Sequence, residues 1–106
     1  MTEKELKELR DAIIQLGKLV QRYGKKHYMP QLKLLSKMLE TIDSDLDNKK
    51  KTEYLAYCYQ TLFPAKGSLT DFYIHDDDYE TRKKLNAPLD EVVAKMEEII
   101  RPYLEP

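Results

Sequence analysis

His75, Asp76, Asp77 and Asp78 stand in a row, and Asp71 lies four residues ahead of the histidine. An imidazole among carboxylates is the chemistry of a divalent-metal site, and Asp71, His75 and Asp78 are the set that would hold the ion. The spacing argues against it. Consecutive side chains diverge, and there is no EF-hand loop and no paired-histidine helix motif. Acids just ahead of a helix also offset its dipole, and that reading ranks above the metal. Upstream, Gly67-Ser68-Leu69-Thr70-Asp71 sets a glycine before two hydroxyls. Such a run can present N–H groups to an anion. No phosphate-binding lysine motif accompanies it, so a turn closed by its own side chains is the preferred reading. Cys58 with His27 or His75 can be written as a nucleophilic dyad. Cys58 lies on an apolar helix face, however, where a buried thiol is the ordinary outcome. Ser36, Ser44 and Ser68 have no partner pattern. No base, nucleophile and orienting group can be named together, so no catalytic residue is assigned and the chain reads as a non-enzyme needing no cofactor.

Binding chemistry is better represented. The chain has eight tyrosines. Tyr54, Tyr57 and Tyr59 surround Cys58 on one helix and cannot all face one core, so Tyr57 or Tyr59 is expected at the surface. Exposed tyrosines bury area at low entropy cost and keep a polar tip, which suits binding surfaces. Tyr57, Tyr59 and Tyr73, with Asp76, Asp77 and Asp78, form the expected contact set for a partner protein. Two basic turns, Lys25-Lys26-His27 and Lys49-Lys50-Lys51, fall at opposite ends of a helical bundle. They make no continuous phosphate track, so nucleic acid is not expected.

The elements that position these residues are helices. Thr2 and Glu5 make a capping-box signature. Leu6, Leu9, Ile13, Leu16, Val20 and Tyr23 then recur at spacings of three and four. That stripe predicts a helix over 3–23, with Gly24 as its stop and Gly17 as a place for a close helix crossing. The strict stripe also suits a homodimer seam. Pro30 opens a second helix over about 30–43, striped by Leu32, Leu35, Leu39 and Ile42. Asp47 or Thr52 caps a third, in which Leu55, Cys58 and Leu62 share a face, ending before Pro64. Residues 64–78 form an irregular insert. Phe72 and Ile74 alternate there with Tyr73 and His75, which allows a short extended segment or small hairpin. Tyr79–Leu85 reads as a short helix. Asn86 then caps a last helix striped by Leu89, Val92, Met96, Ile99 and Tyr103. The pairs Glu91–Lys95 and Glu97–Arg101 are spaced to meet on it. The expected fold is all-α: a four-helix bundle in one domain, 1–106, with an irregular or short extended insert at about 64–78.

Composition sets the remaining bounds. The 106 residues are 42% hydrophobic and 35% charged, as in a globular chain with a real core. Net charge is −1, which favours neither nucleic acid nor membrane. Residues 1–52 carry 12 basic and 8 acidic side chains; residues 53–106 carry 6 and 11. Opposite charge on the two halves suggests two faces of opposite potential. One cysteine excludes an internal disulfide and fits a reducing, cytoplasmic setting. The charged start MTEKELKELR lacks the apolar core of a signal peptide. No apolar run approaches the ~20 residues that span a bilayer.

The segments LFPAKGSLTDFYI and NAPLDEVVAKMEEI carry a resemblance. They are similar to a set of small bacterial helical proteins classed as a domain of unknown function. In that pattern a helix ends in a Leu/Phe pair, a Gly-Ser-Leu/Phe-x-Asp segment and a short apolar stretch follow, and Asn-x-x-Leu-Asp opens the last helix. The matching positions are Leu62, Phe63, Gly67, Ser68, Leu69, Asp71, Phe72, Ile74, Asn86, Leu89, Asp90 and Val92, within about residues 54–100. The resemblance implies no activity. Association with toxin or phage-defence genes would imply an interaction or immunity role, with a basic, nuclease-like partner. A small-ligand or metal domain built on residues 67–78 is the alternative.

Overall fold

The computed structural model describes residues 1–104, and of Lys25 the backbone alone. The contribution expected of the Lys25 side chain to a basic turn therefore lies outside the described residues. The chain is all-α: α1 Glu3–Gly24, α2 Met29–Ile42, α3 Asn48–Leu62 and α4 Tyr79–Ile100. Short 3-10 turns occupy Lys25–Tyr28, Ser68–Asp71 and Arg101–Tyr103. There is no strand among the described residues, and none of the helices is long and apolar enough to cross a membrane.

The capping box forms at the start of α1. The Glu5 N–H donates to Thr2 Oγ1 at 3.1 Å, and the Thr2 N–H donates to Glu5 Oε1 at 2.9 Å. Leu6, Leu9, Ile13, Leu16 and Val20 are each at most 3% exposed. The stripe is thus consumed inside the chain. A homodimer seam along it, which the spacing alone allowed, has no surface left to use. α1 is the central helix. It packs against both α2 and α4, and α2 packs in turn against α3. The molecule measures 46 × 24 × 24 Å. Its length follows from α1 and α4, each of 22 residues and each about 33 Å long. Between α3 and α4 the bundle is open, leaving a groove of about 520 Å³ floored by Leu16 and walled by Tyr59, Phe63, Leu89 and Val93.

α1 ends at Gly24, as its sequence position suggests, with a right-handed φ of −87°. A Cβ there would come within 2.7 Å of the Tyr28 ring, so glycine is needed for the 3-10 turn to fold back on the helix. Gly17 meets nothing within 4 Å of a built Cβ, so it serves no close helix crossing.

At the start of α3, Asp47 is the cap. Its Oδ1 accepts the Lys50 N–H at 2.9 Å. Thr52 instead sits inside the helix, donating from Oγ1 to the Asn48 carbonyl at 2.7 Å. Leu55, Cys58 and Leu62 are wholly buried. The basic run Lys49-Lys50-Lys51 is only partly solvent-exposed. Lys51 is 8% exposed, and its Nζ donates to the Ile42 carbonyl at 2.8 Å. A cation thus satisfies a carbonyl at the C-terminal, negative end of α2.

The last helix is continuous from Tyr79 to Ile100, with Pro88 inside it. This corrects the expectation of a break at Asn86. The cap is Asp78, not Asn86, and Pro88 is exposed, so the carbonyl its missing N–H leaves free can turn to water. Of the two expected pairs on α4, Arg101 meets Glu97, whereas Lys95 reaches across to Glu8 of α1 at 3.4 Å. Arg10 grips Asp43 with two hydrogen bonds of 3.0 and 3.2 Å, tying α1 to the end of α2.

Lys51→Met keeps the apolar stem but removes the donor to the Ile42 carbonyl. It should lower unfolding stability in urea by about 2 kcal/mol, the cost of losing a charged hydrogen bond in a buried setting. Lys50→Met, one residue away and exposed, should leave the urea midpoint unchanged.

Candidate functional site

The crossover from Phe63 to Asp78 carries most of the residues singled out in the sequence. Its first half is a compact turn. Gly67 has φ +86° and Ser68 φ 51°, so two successive residues lie in the left-handed region. Glycine tolerates this freely, and a β-branched residue at 67 would be strained. The Gly67 N–H donates to Asp71 Oδ2 at 2.9 Å. Thr70 Oγ1 donates to the Pro64 carbonyl at 2.6 Å, and Gln31 of α2 donates to Ser68 Oγ at 3.3 Å. Thr70 and Asp71 therefore close the turn on its own backbone, whereas the Ser68 hydroxyl ties it to α2.

The second half is extended without being a strand. Phe72 and Ile74 are buried at 8% and 2% exposure. Phe72 meets Tyr28 edge to face, with ring centroids 5.1 Å apart. Tyr73 and His75 alternate outward, and their rings meet at 5.9 Å. A strand's alternation is present, but its hydrogen-bond partner is a side chain. The Ile74 N–H donates to Asn86 Oδ1 at 3.0 Å, and Asn86 Nδ2 donates to the Ile74 carbonyl at 2.8 Å. Asn86 is 6% exposed and also donates to the Arg82 carbonyl at 2.9 Å. Its expected role as a helix cap gives way to this clamp. Asp90, also matched by the resemblance, is exposed and lines the α3–α4 groove.

The three aspartates do separate jobs. Asp76 Oδ1 accepts the Asp78 N–H at 2.9 Å, and the Asp76 carbonyl accepts from Arg82 Nη1 at 3.1 Å. Asp78 caps α4, with its Oδ2 accepting the Thr81 N–H at 2.9 Å and the Thr81 hydroxyl at 2.8 Å. Those two donors, the backbone one foremost, hold the Asp78 carboxyl below its usual range. Asp77 is exposed. No three carboxylate, imidazole or thiol groups converge among the described residues in a way that suits a metal ion. The set Asp71, His75 and Asp78 is thus not assembled: Asp71 closes the Gly67 turn and Asp78 caps a helix.

The tyrosines divide clearly. Tyr57, Tyr73 and Tyr79 are 63%, 51% and 62% exposed, while Tyr59 is 9% exposed. Tyr59 lies against the Phe63 ring at 5.0 Å, which removes it from the expected contact set. Tyr79, not singled out in the sequence, joins that set. It follows Asp78 directly, and Arg82 lies over its ring at 5.5 Å. The signal that could have found it was its place in the first turn of α4, where no apolar stripe claims it. Cys58 is wholly buried, and burial pushes its thiol up, which disfavours the thiolate a nucleophile needs. His27 and His75 are both exposed, so neither shares the thiol's apolar surroundings.

Asn86→Leu removes both ends of the clamp and leaves the Ile74 N–H and carbonyl buried without partners. Stability should fall by about 3 kcal/mol, and the Ile74 amide should lose hydrogen-exchange protection before the amides of α1 do. Equal loss at both places would mean that the crossover is not held separately by Asn86.

Three carboxylates have their pKa lowered by native contacts: Asp78 by Thr81, Asp43 by Arg10, and Glu5 by the Thr2 N–H and then the Tyr103 hydroxyl. A lowered native pKa contributes stability that is complete above the unfolded value and is lost as pH falls through the native one. Unfolding stability should therefore hold from neutral pH down to about pH 4 and decline below it. Asp78→Asn, which retains capping ability, should flatten that decline in a pH series of urea unfolding.

Set against protein-family models, curated proteins and solved structures, the chain matches none.

Proposed function

We propose that this protein is a non-enzymatic interaction module that presents its acidic crossover to a basic region of a partner protein, in the manner of an immunity-type inhibitor. The observation that carries the reading is the disposition of Tyr73 and Tyr79. They flank Asp76–Asp78 at 51% and 62% exposure, on a segment whose backbone is fixed by Asn86 and Arg82. Large rings on a fixed backbone lose little entropy when they are covered, so they suit the centre of an interface. Exposed Asp77 and neighbouring Glu80 add negative charge beside them, which would speed encounter with a basic partner. The sequence resemblance over residues 54–100 supplies no activity but is consistent with such a role. Against the metal version of the small-ligand alternative stand Asp71, which closes a turn, and Asp78, which caps α4.

The test compares capture from the source cells by the wild-type chain and by a Tyr73→Ser/Asp77→Lys double variant. Both changed residues are exposed, so both proteins should melt at the same temperature. A basic protein should be retained by the wild type, and its capture should weaken with salt and vanish with the variant. Equal capture by both proteins, or capture of no basic protein, would sink this reading.

A further inference from the structure

A second surface lies between α1 and α2. A groove of about 620 Å³ runs there, and it shares no residue with the crossover. Its floor includes Ile13 and Leu35, both buried, and its walls are Ile14, Leu32, Leu39 and Met29. Met29 is 48% exposed and extends the apolar lining of the groove to the surface. Lys18, Lys26 and Lys33 stand around the groove, and no acidic residue lines it. None of the three forms an ion pair among the described residues.

Gly17 is an independent observation. A glycine in a helix interior is unfavourable by roughly 1 kcal/mol against alanine. Here it is not needed for packing, since an added Cβ would meet nothing within 4 Å. It lines the groove instead. Any larger side chain at 17 would rise into the space between the helices. The missing side chain thus keeps the groove open at a cost in helix stability.

We propose that this groove docks an acidic amphipathic helix of a partner protein. The lining on α1 spans Ile13 to Gln21 and that on α2 spans Met29 to Leu39, lengths of about 12 and 15 Å, or two to three helical turns. A helix laid over two neighbouring helices would set its apolar ridge between Ile14 and Leu32. Glutamates or aspartates flanking that ridge would reach the three lysines. An acyl carboxylate would match the same charge. A small ligand, however, is ordinarily enclosed over most of its surface, and this groove is open along its length. The proposal does not rest on the acidic crossover: the two surfaces carry opposite charge and bind different partners.

The experiment is an amide-resonance titration of the whole chain with a synthetic helix of about 12 residues, leucine-striped and glutamate-flanked. A lysine-flanked copy of the peptide and decanoate are run in parallel. The acidic peptide should shift Ile14, Gly17, Leu32 and Leu39. Gly17→Leu should melt no lower than wild type yet weaken binding by tenfold or more, about 1.4 kcal/mol. The triple change Lys18→Gln, Lys26→Gln, Lys33→Gln should weaken binding as much. Tyr73→Ser/Asp77→Lys should bind the peptide normally, which separates this test from that of the crossover. The proposal is overturned if the acidic peptide shifts none of these residues, if the lysine-flanked peptide binds equally, if decanoate binds more tightly, or if Gly17→Leu binds like wild type. Concentration-dependent shifts of the same residues without peptide would assign the groove to a second copy and overturn it as well.

Discussion

The carboxamide of Asn86 does for Ile74 what an adjacent strand would do, accepting from its N–H and donating to its carbonyl. Much else depends on that pair of hydrogen bonds. An extended backbone passing over an apolar core carries polar groups that must be satisfied, and no strand among the described residues is there to satisfy them. With Ile74 held, Phe72 is seated on Tyr28 and the alternation of side chains is fixed. Tyr73 and His75 then face outward by geometry alone. The clamp also explains why α4 starts before Asn86. The residue must stand well inside a helix, on its buried side, to reach Ile74, so the cap falls to Asp78, eight residues earlier.

A second constraint is the central place of α1. Because it touches both α2 and α4, it must be apolar over a wide arc, and the stripe from Leu6 to Val20 is spent inside the chain. The polar ties around it run outward to its neighbours: Arg10 to Asp43, Glu8 to Lys95, Glu5 to Tyr103. The two ion pairs are largely exposed and contribute little energy each, and the Glu5–Tyr103 hydrogen bond is only part-buried. Their geometry matters more, since each fixes the register of one helix against another. The wide arc explains Gly17 too. Its flank of α1 faces neither neighbour closely enough for a Cβ to touch anything, and what it leaves is the apolar groove with lysines around it.

Local signals in the sequence carried the helices and most of their ends. Thr2 with Glu5, Pro30, Asp47 and the three-four stripes each act through near neighbours, so the expected and observed boundaries agree closely. The errors share a different cause. Asn86 looked like a cap because caps are local and asparagine favours them; its actual partner is Ile74, reached across a chain reversal. Lys51 reads in the sequence only as part of a basic turn, because its acceptor, the Ile42 carbonyl, belongs to the preceding helix. Tyr59 and Tyr57 were interchangeable in the sequence. Which of them is buried depends on where α4 lies, and the spacing within α3 does not determine that. In the acidic run Asp76 and Asp78 accept different backbone donors, in keeping with the preferred reading of helix-start charge.

Cys58 has a consequence of another kind. It is the sole thiol in the chain, wholly enclosed, with burial raising its pKa. A thiol reagent can reach it only when α3 parts from its neighbours, so its rate of labelling in native buffer is a clock for that opening. Because α3 borders the groove toward α4 and is bound to the rest of the bundle chiefly through α2, the clock reads the parting of α3 from α2. The molecule thus carries, without engineering, a single-site chemical record of how often its open side comes apart.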